Sequence, residues 1–142
     1  MKHFLLIVLL TLYGVSLFSE SNLKALCENL DDCEKKADLT EIHRKKITLL
    51  TFGITEYGKG ASIQSLCPLL LKRIKSIILE ANGDTGYKGE IILKVNHKAE
   101  YKQSQLLKAE EDIQFLDANQ SSISKDNYSE LLKLKTLLDQ SR

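Results

Sequence analysis

The chain has 142 residues, enough for one domain around one core. Hydrophobic residues are 43% and charged residues 27%, a balance that excludes an intrinsically disordered chain. The formal net charge of +1, the 6% aromatic content and the lack of Trp remove the basis for nucleic-acid binding, which needs a one-sided surplus of Lys and Arg and rings for bases to stack on.

Met1-Lys2-His3 is a short basic start, and Phe4 to Phe18 follows without a charge. That apolar run is shorter than the ~20 residues of a membrane span and suits the hydrophobic region of a secretory signal. Ser19 and Ser21 supply small residues for a cleavage site. The reading is a signal peptide over 1–21 and a mature domain over 22–142, exported to the periplasm, the cell envelope or the extracellular space. An uncleaved leader would instead anchor the chain, the one way it would meet a membrane. Lipid attachment at Cys27 fits poorly: in Leu23-Lys24-Ala25-Leu26-Cys27, Lys24 lies inside the lipoprotein box and Leu26 stands where a small residue belongs.

Leu23, Leu26, Cys27, Leu30, Cys33 and Ala37 recur at three- and four-residue spacing, which predicts an amphipathic helix over these residues. Asp31, Asp32 and Glu34 read as its solvated face, since they lack the alternation and the glycine of a calcium loop. Asp38 and Glu41 have the spacing of a capping box for a second helix, whose apolar face is Leu39, Ile42, His43, Ile47, Leu50, Ile54 and Tyr57. The β-favouring run Ile47 to Phe52 leaves a strand as the alternative there. Gly58-Lys59-Gly60 ends the element. Within it, Leu39-Thr40-Glu41-Ile42-His43-Arg44-Lys45-Lys46-Ile47 resembles the Leu-Thr-x-x-Gln motif of small periplasmic helical chaperones of the Spy/CpxP kind, with His43 where that family has Gln. The resemblance implies a helical cradle for unfolded clients, without enzymatic chemistry.

Leu66 to Ala81 is the most apolar stretch after the leader, with Leu70, Ile74, Ile77, Ile78 and Ala81 on one stripe. Pro68 suits a first helical turn, so the helix is expected to start there, with Cys67 extended at its entrance. Asn82 to Gly89 reads as a loop. Asp84-Thr85-Gly86 matches the aspartic-protease triplet but lacks that family's flanking residues, and the glycines lack the Gly-Lys-Ser/Thr of a phosphate loop. Glu90 to Val95 alternates as a strand, and a turn at Asn96-His97-Lys98 would oppose Val95 to Ala99 and Leu93 to Tyr101. The order helix, glycine loop, hairpin, helix resembles the C-terminal periplasmic domain of TonB-like transducers, on that arrangement and on Gly89 ahead of a strand. Leu106, Ala109, Ile113 and Leu116 mark another helix. Leu131, Leu134 and Leu138 mark the last, capped by Asp126 or Asn127. Asn119-Gln-Ser and Asn127-Tyr-Ser are glycosylation acceptors in a host that glycosylates them.

The expected class is therefore α+β, mainly helical, with about five helices and one β-hairpin near residues 90–103. For the cysteines, a straight helix would hold the Cα atoms of Cys27 and Cys33 about 9 Å apart, beyond disulfide reach. The expected bond joins Cys67 to Cys33 or Cys27 and closes a loop of about 33 to 39 residues, for about 3–4 kcal/mol on the chain-entropy model. No metal, cofactor or catalytic residues are assigned: there is no CxxC, His43 and His97 have no ligand at metal spacing, and no nucleophile motif occurs. The functional expectation is a non-catalytic binding or structural component of the envelope or secreted fraction, with a protein partner. A chaperone-like binder of unfolded clients and a small hydrolase without a recognisable motif are the alternatives.

Overall fold

A computed structural model describes residues 26–88 and 94–142. They form five α-helices: α1 Leu30–Leu39, α2 His43–Tyr57, α3 Ile63–Ala81, α4 Ala99–Ala118 and α5 Lys125–Ser141, with a 3-10 turn at Gln120–Ser122. The signal sequence expected over 1–21 lies outside the described residues. Among the described helices none is long and apolar enough to cross a membrane.

The organising element is α3. Leu66, Cys67, Leu69, Leu70, Leu71, Ile74, Ile77, Ile78 and Ala81 are all buried, so apolar groups point from it in every direction. It accordingly touches all four other helices. On one side, Leu70, Ile74, Ile77 and Ile78 pack against Leu106, Ala109, Ile113 and Leu116 of α4 and Leu131, Leu134 and Leu138 of α5. On the other, Leu69 meets Ala37 of α1 and Leu50 of α2 in a smaller cluster. The apolar stripes read for α4 and α5 are the faces that the fold buries.

The fold is all-helical among the described residues, which corrects the expected α+β class. No strand is present there, only an isolated antiparallel bridge between Asp84 and Lys94. The second half of the expected hairpin, from Ala99 onward, is the start of α4. The alternation over a few residues was weaker than the helical stripe that begins at Leu106, and Glu100, Lys102, Gln103 and Gln105 all favour a helix. Residues 90–93, the first half, lie outside the described residues. With the hairpin goes the arrangement that resembled the TonB-like domain. Val95 does return to the end of α3, where its N–H donates to the Gly83 carbonyl at 2.9 Å. Gly83 has φ +88°, and a Cβ there would stand 2.2 Å from the Val95 carbonyl oxygen, so a side chain is excluded on both counts.

Helix starts also differ from expectation, each for a capping reason. α1 begins at Leu30 because Asn29 caps it, its side chain accepting the Asp32 N–H at 2.9 Å, while Asp32 accepts the Glu28 N–H at 2.9 Å. Asp38 and Glu41 do not cap α2; they pair with Lys72 and Lys88 instead, each at 2.7 Å. Leu39 is the last residue of α1 and is 86% exposed rather than part of α2's buried face. α3 begins at Ile63, with Ser62 Oγ accepting the Ser65 N–H at 3.2 Å. Pro68 therefore lies inside it, near the start, and Cys67 is a buried helical residue. α5 is capped by Ser124, whose Oγ accepts the Asn127 N–H at 3.2 Å, and not by Asp126 or Asn127.

Candidate functional site

The cysteines are arranged otherwise than expected. Cys27 and Cys33 form a disulfide with Cα atoms 5.0 Å apart, and Cys67 is a free, buried thiol. The expected bond from Cys67 to Cys33 or Cys27 is thereby corrected. Only one straight helix through both residues would keep them out of reach. Because α1 starts at Leu30, Cys27 sits ahead of the cap, where the chain folds back within reach of Cys33. Cys67 instead faces α5 and hydrogen-bonds the Asn127 side chain; burial pushes its thiol up, away from the thiolate that nucleophilic chemistry would need.

The disulfide has a seat in α2. A Cβ added to Gly53 would lie 2.8 Å from both Cβ and Sγ of Cys33. A helix-interior glycine costs about 1 kcal/mol against Ala, and here it makes the space the sulfur occupies. Tyr57 closes the other end, its hydroxyl donating to the Cys27 carbonyl at 2.8 Å.

A polar cluster lies at the far end of α3. Glu80 is 5% exposed. Its two carboxylate oxygens accept from the Tyr101 hydroxyl of α4 at 2.9 Å each, and one accepts from Arg44 Nη2 of α2 at 3.1 Å. His97 Nε2 lies 3.5 Å from Glu80 Oε1, and the His97 ring stands on the Tyr101 ring with centroids 4.6 Å apart. Burial, and then the neighbouring Glu80, push the Tyr101 phenol above its usual range. A cleft of about 280 Å³ opens beside Glu80, with Arg44 and His97 on its wall and Ile42 and Val95 as its apolar sides. A carboxylate, an imidazole and a phenol in one place could pass a proton. In this cluster the carboxylate and the phenol are hydrogen-bonded to each other, and with Arg44 they tie α2, α3 and α4 together.

His43, at the first residue of α2, was read as a helix-face histidine. It lies against the α3–α4 connection: its backbone N–H donates to the Thr85 carbonyl at 3.1 Å, and its ring Nε2 is 3.6 Å from Asp84 Oδ2. Its Nδ1 is buried without a hydrogen-bond partner. Burial pushes the ring's pKa down, and Asp84 only partly offsets that. The two histidines are thus each beside a carboxylate at the same end of α3. Asp84-Thr85-Gly86 serves as a turn, with Asp84 Oδ1 accepting the Gly86 N–H at 2.8 Å.

A second ion pair joins α3 to α4. Arg73 of α3 clasps Asp112 of α4 through two bonds of 2.8 and 2.6 Å, and its Nη1 reaches Thr51 of α2 at 3.3 Å. Burial pushes the Asp112 carboxyl up, against the opposing pull of Arg73. An aspartate four residues before Leu116 on a buried stripe was the available hint, but its partner is 39 residues away. The stretch Leu39 to Ile47, similar to the chaperone motif, spans the end of α1, a turn and the start of α2. Among the described residues no group of three or more His, Cys, Asp or Glu converges as a metal site.

Three outcomes are expected. Gly53→Ala lowers the stability of the oxidised protein in urea unfolding, although alanine is the better helix former by about 1 kcal/mol, because the new methyl collides with Cys33. Tyr101→Phe costs about 1.5–3 kcal/mol by the same assay, since it removes the hydroxyl donor to a buried carboxylate. For His43 the folded pKa lies below the unfolded 6.5, so the unfolded chain takes the proton first as pH falls. Its contribution is complete above about pH 6.5 and is lost as pH falls from there through the folded pKa. The urea midpoint should therefore drop between neutral pH and about pH 5 by less in His43→Gln than in the parent. In comparisons with known proteins, the chain matches no family model, no curated protein and no solved structure.

Proposed function

We propose that the chain is a small exported protein whose mature part, a disulfide-braced helical domain, serves as a non-catalytic binding or structural component of the cell envelope or secreted fraction. The carrying observation is the Cys27–Cys33 bond, with both cysteines at 0% exposure and a glycine in α2 giving the sulfur its room. Disulfides persist in oxidising compartments and are rare where glutathione keeps thiols reduced. The uncharged run from Phe4 to Phe18 supplies the route out. The non-catalytic part of the reading is supported by the Glu80 cluster, whose polar atoms are used to join three helices.

Expression of the full chain, leader included, in a secreting host tests the proposal. The recovered protein should begin close to residue 22. Denatured without reductant it should expose one alkylatable thiol, Cys67, and after reduction all three cysteines. A cytosolic product that retains Met1 and alkylates at three positions without reductant would end it.

A further inference from the structure

A cup of about 200 Å³ lies where α1, α2 and α3 meet, with Asp38, His43, Lys46, Lys72, Lys75 and Ser76 on its lining. The sequence puts cations there twice. His43 and Lys46 are three residues apart on α2, and Lys72 and Lys75 are three apart on α3, so each pair shares a helix face. The two helices run antiparallel through a short connection, which brings the pairs opposite each other.

The charges in the cup do not balance. Lys72 is held by Glu34 and Asp38 of α1, at 2.7 Å each. Lys46 and Lys75 have no carboxylate partner among the described residues. Of the three lysines on the cup, Lys72 is thus matched by two carboxylates, and Lys46 and Lys75 are the two left unpaired, three positive charges against two negative. Like charges gathered in a concave surface repel, and a bound anion removes that cost. The buried Ser76 and Leu50 also line the cup, so the lysines border a hollow with a buried floor. At about 30 Å³ per water, the hollow has room for roughly six or seven waters, or for a tetrahedral anion and part of what carries it.

We propose that this cup binds a small oxyanion, a phosphate or carboxylate group, through Lys46 and Lys75, with Lys72 fixed beside them by Glu34 and Asp38. The inference is independent of the compartment proposed above, and the two tests fail separately. His43 reports on occupancy. Its ring faces Asp84, Lys46 and Glu80, and the neighbouring Lys46 adds to the effect of burial in disfavouring its protonated form. An anion beside Lys46 opposes that effect.

The test uses the mature, oxidised protein in nuclear magnetic resonance titrations with inorganic phosphate, glycerol phosphate and acetate, against chloride at matched ionic strength. Saturable shifts should be confined to the amides around Asp38, His43 to Lys46 and Lys72 to Ser76, and the His43 titration should move to higher pH. Lys46→Gln and Lys75→Gln should each weaken binding about tenfold, the loss of one charge-assisted hydrogen bond. Lys133→Gln, an exposed lysine of α5 paired with Glu130, should bind as the parent does. Flotation with phosphatidylcholine vesicles, with and without phosphatidate, separates the sources: binding to the acidic vesicles assigns a lipid headgroup, and binding to free phosphate alone assigns a soluble anion. The proposal is overturned if none of the three anions saturates and the acidic vesicles are ignored as well, or if Lys46→Gln and Lys75→Gln bind as Lys133→Gln does.

Discussion

An apolar helix that points buried groups in all directions must be covered in all directions, and that demand shapes the molecule. Each of the four other helices takes one sector of α3's surface. α4 and α5 cover the side with Ile74 and Ile78, which are fully buried. α1 and α2 cover the side with Leu69. Each such side chain contributes about 1.5–3 kcal/mol when removed from water, so the association of the helices rests on this one element.

Apolar burial has no direction, and the polar residues of α3 supply it. Lys72 reaches α1 through Glu34 and Asp38. Arg73 reaches α4 through Asp112 and α2 through Thr51. Glu80 reaches α2 through Arg44 and α4 through Tyr101. Asn82, just past the end, reaches α5, its Nδ2 donating to Ser141 Oγ at 2.7 Å. Each neighbour thus has a polar partner on or beside the central helix, with α2 and α4 sharing Arg73 and Glu80. The buried members of this set, the Arg73–Asp112 pair and the Glu80 carboxylate, add little net stability, because desolvation offsets the attraction, but a neighbour that slides by one turn leaves a buried charge unpaired. The apolar residues thus hold the helices together, and the polar ones set their register.

What the sequence discloses follows the range of each interaction. Periodic burial repeats over many residues and is legible: Leu106, Ala109, Ile113, Leu116, Leu131, Leu134 and Leu138 are all core. The stop at Gly58, which caps the end of α2, is equally local. Caps were less legible, since Asp38, Glu41, Asp126 and Asn127 all have cap chemistry and the chain uses Asn29, Ser62 and Ser124. Propensity cannot choose among neighbouring candidates when tertiary partners such as Lys72 and Lys88 compete for the same carboxylates. The hairpin was misread because alternation over five or six residues is compatible with a helix start. The Glu80 and Arg73 pairs were invisible because they join residues 36 and 39 positions apart.

The cysteine error has the same root and shows how one boundary propagates. Moving the start of α1 from Leu23 to Leu30 turns an impossible disulfide into a short one. A bond between residues six apart constrains the unfolded chain less than the long loop first expected, by the entropy model about 2 kcal/mol rather than 3–4. Its effect is correspondingly local. It ties the segment ahead of α1 to α1 itself, and Tyr57 then fastens that segment to the end of α2. Gly53 opens the space in which the sulfur lies against α2. The bond, the glycine and the tyrosine therefore act as one fixture at the point where the described chain begins. The helical bundle around α3 has its own apolar cover; what the bond adds is a fixed start to α1, and with it the position of Glu34 and Asp38 beside Lys72.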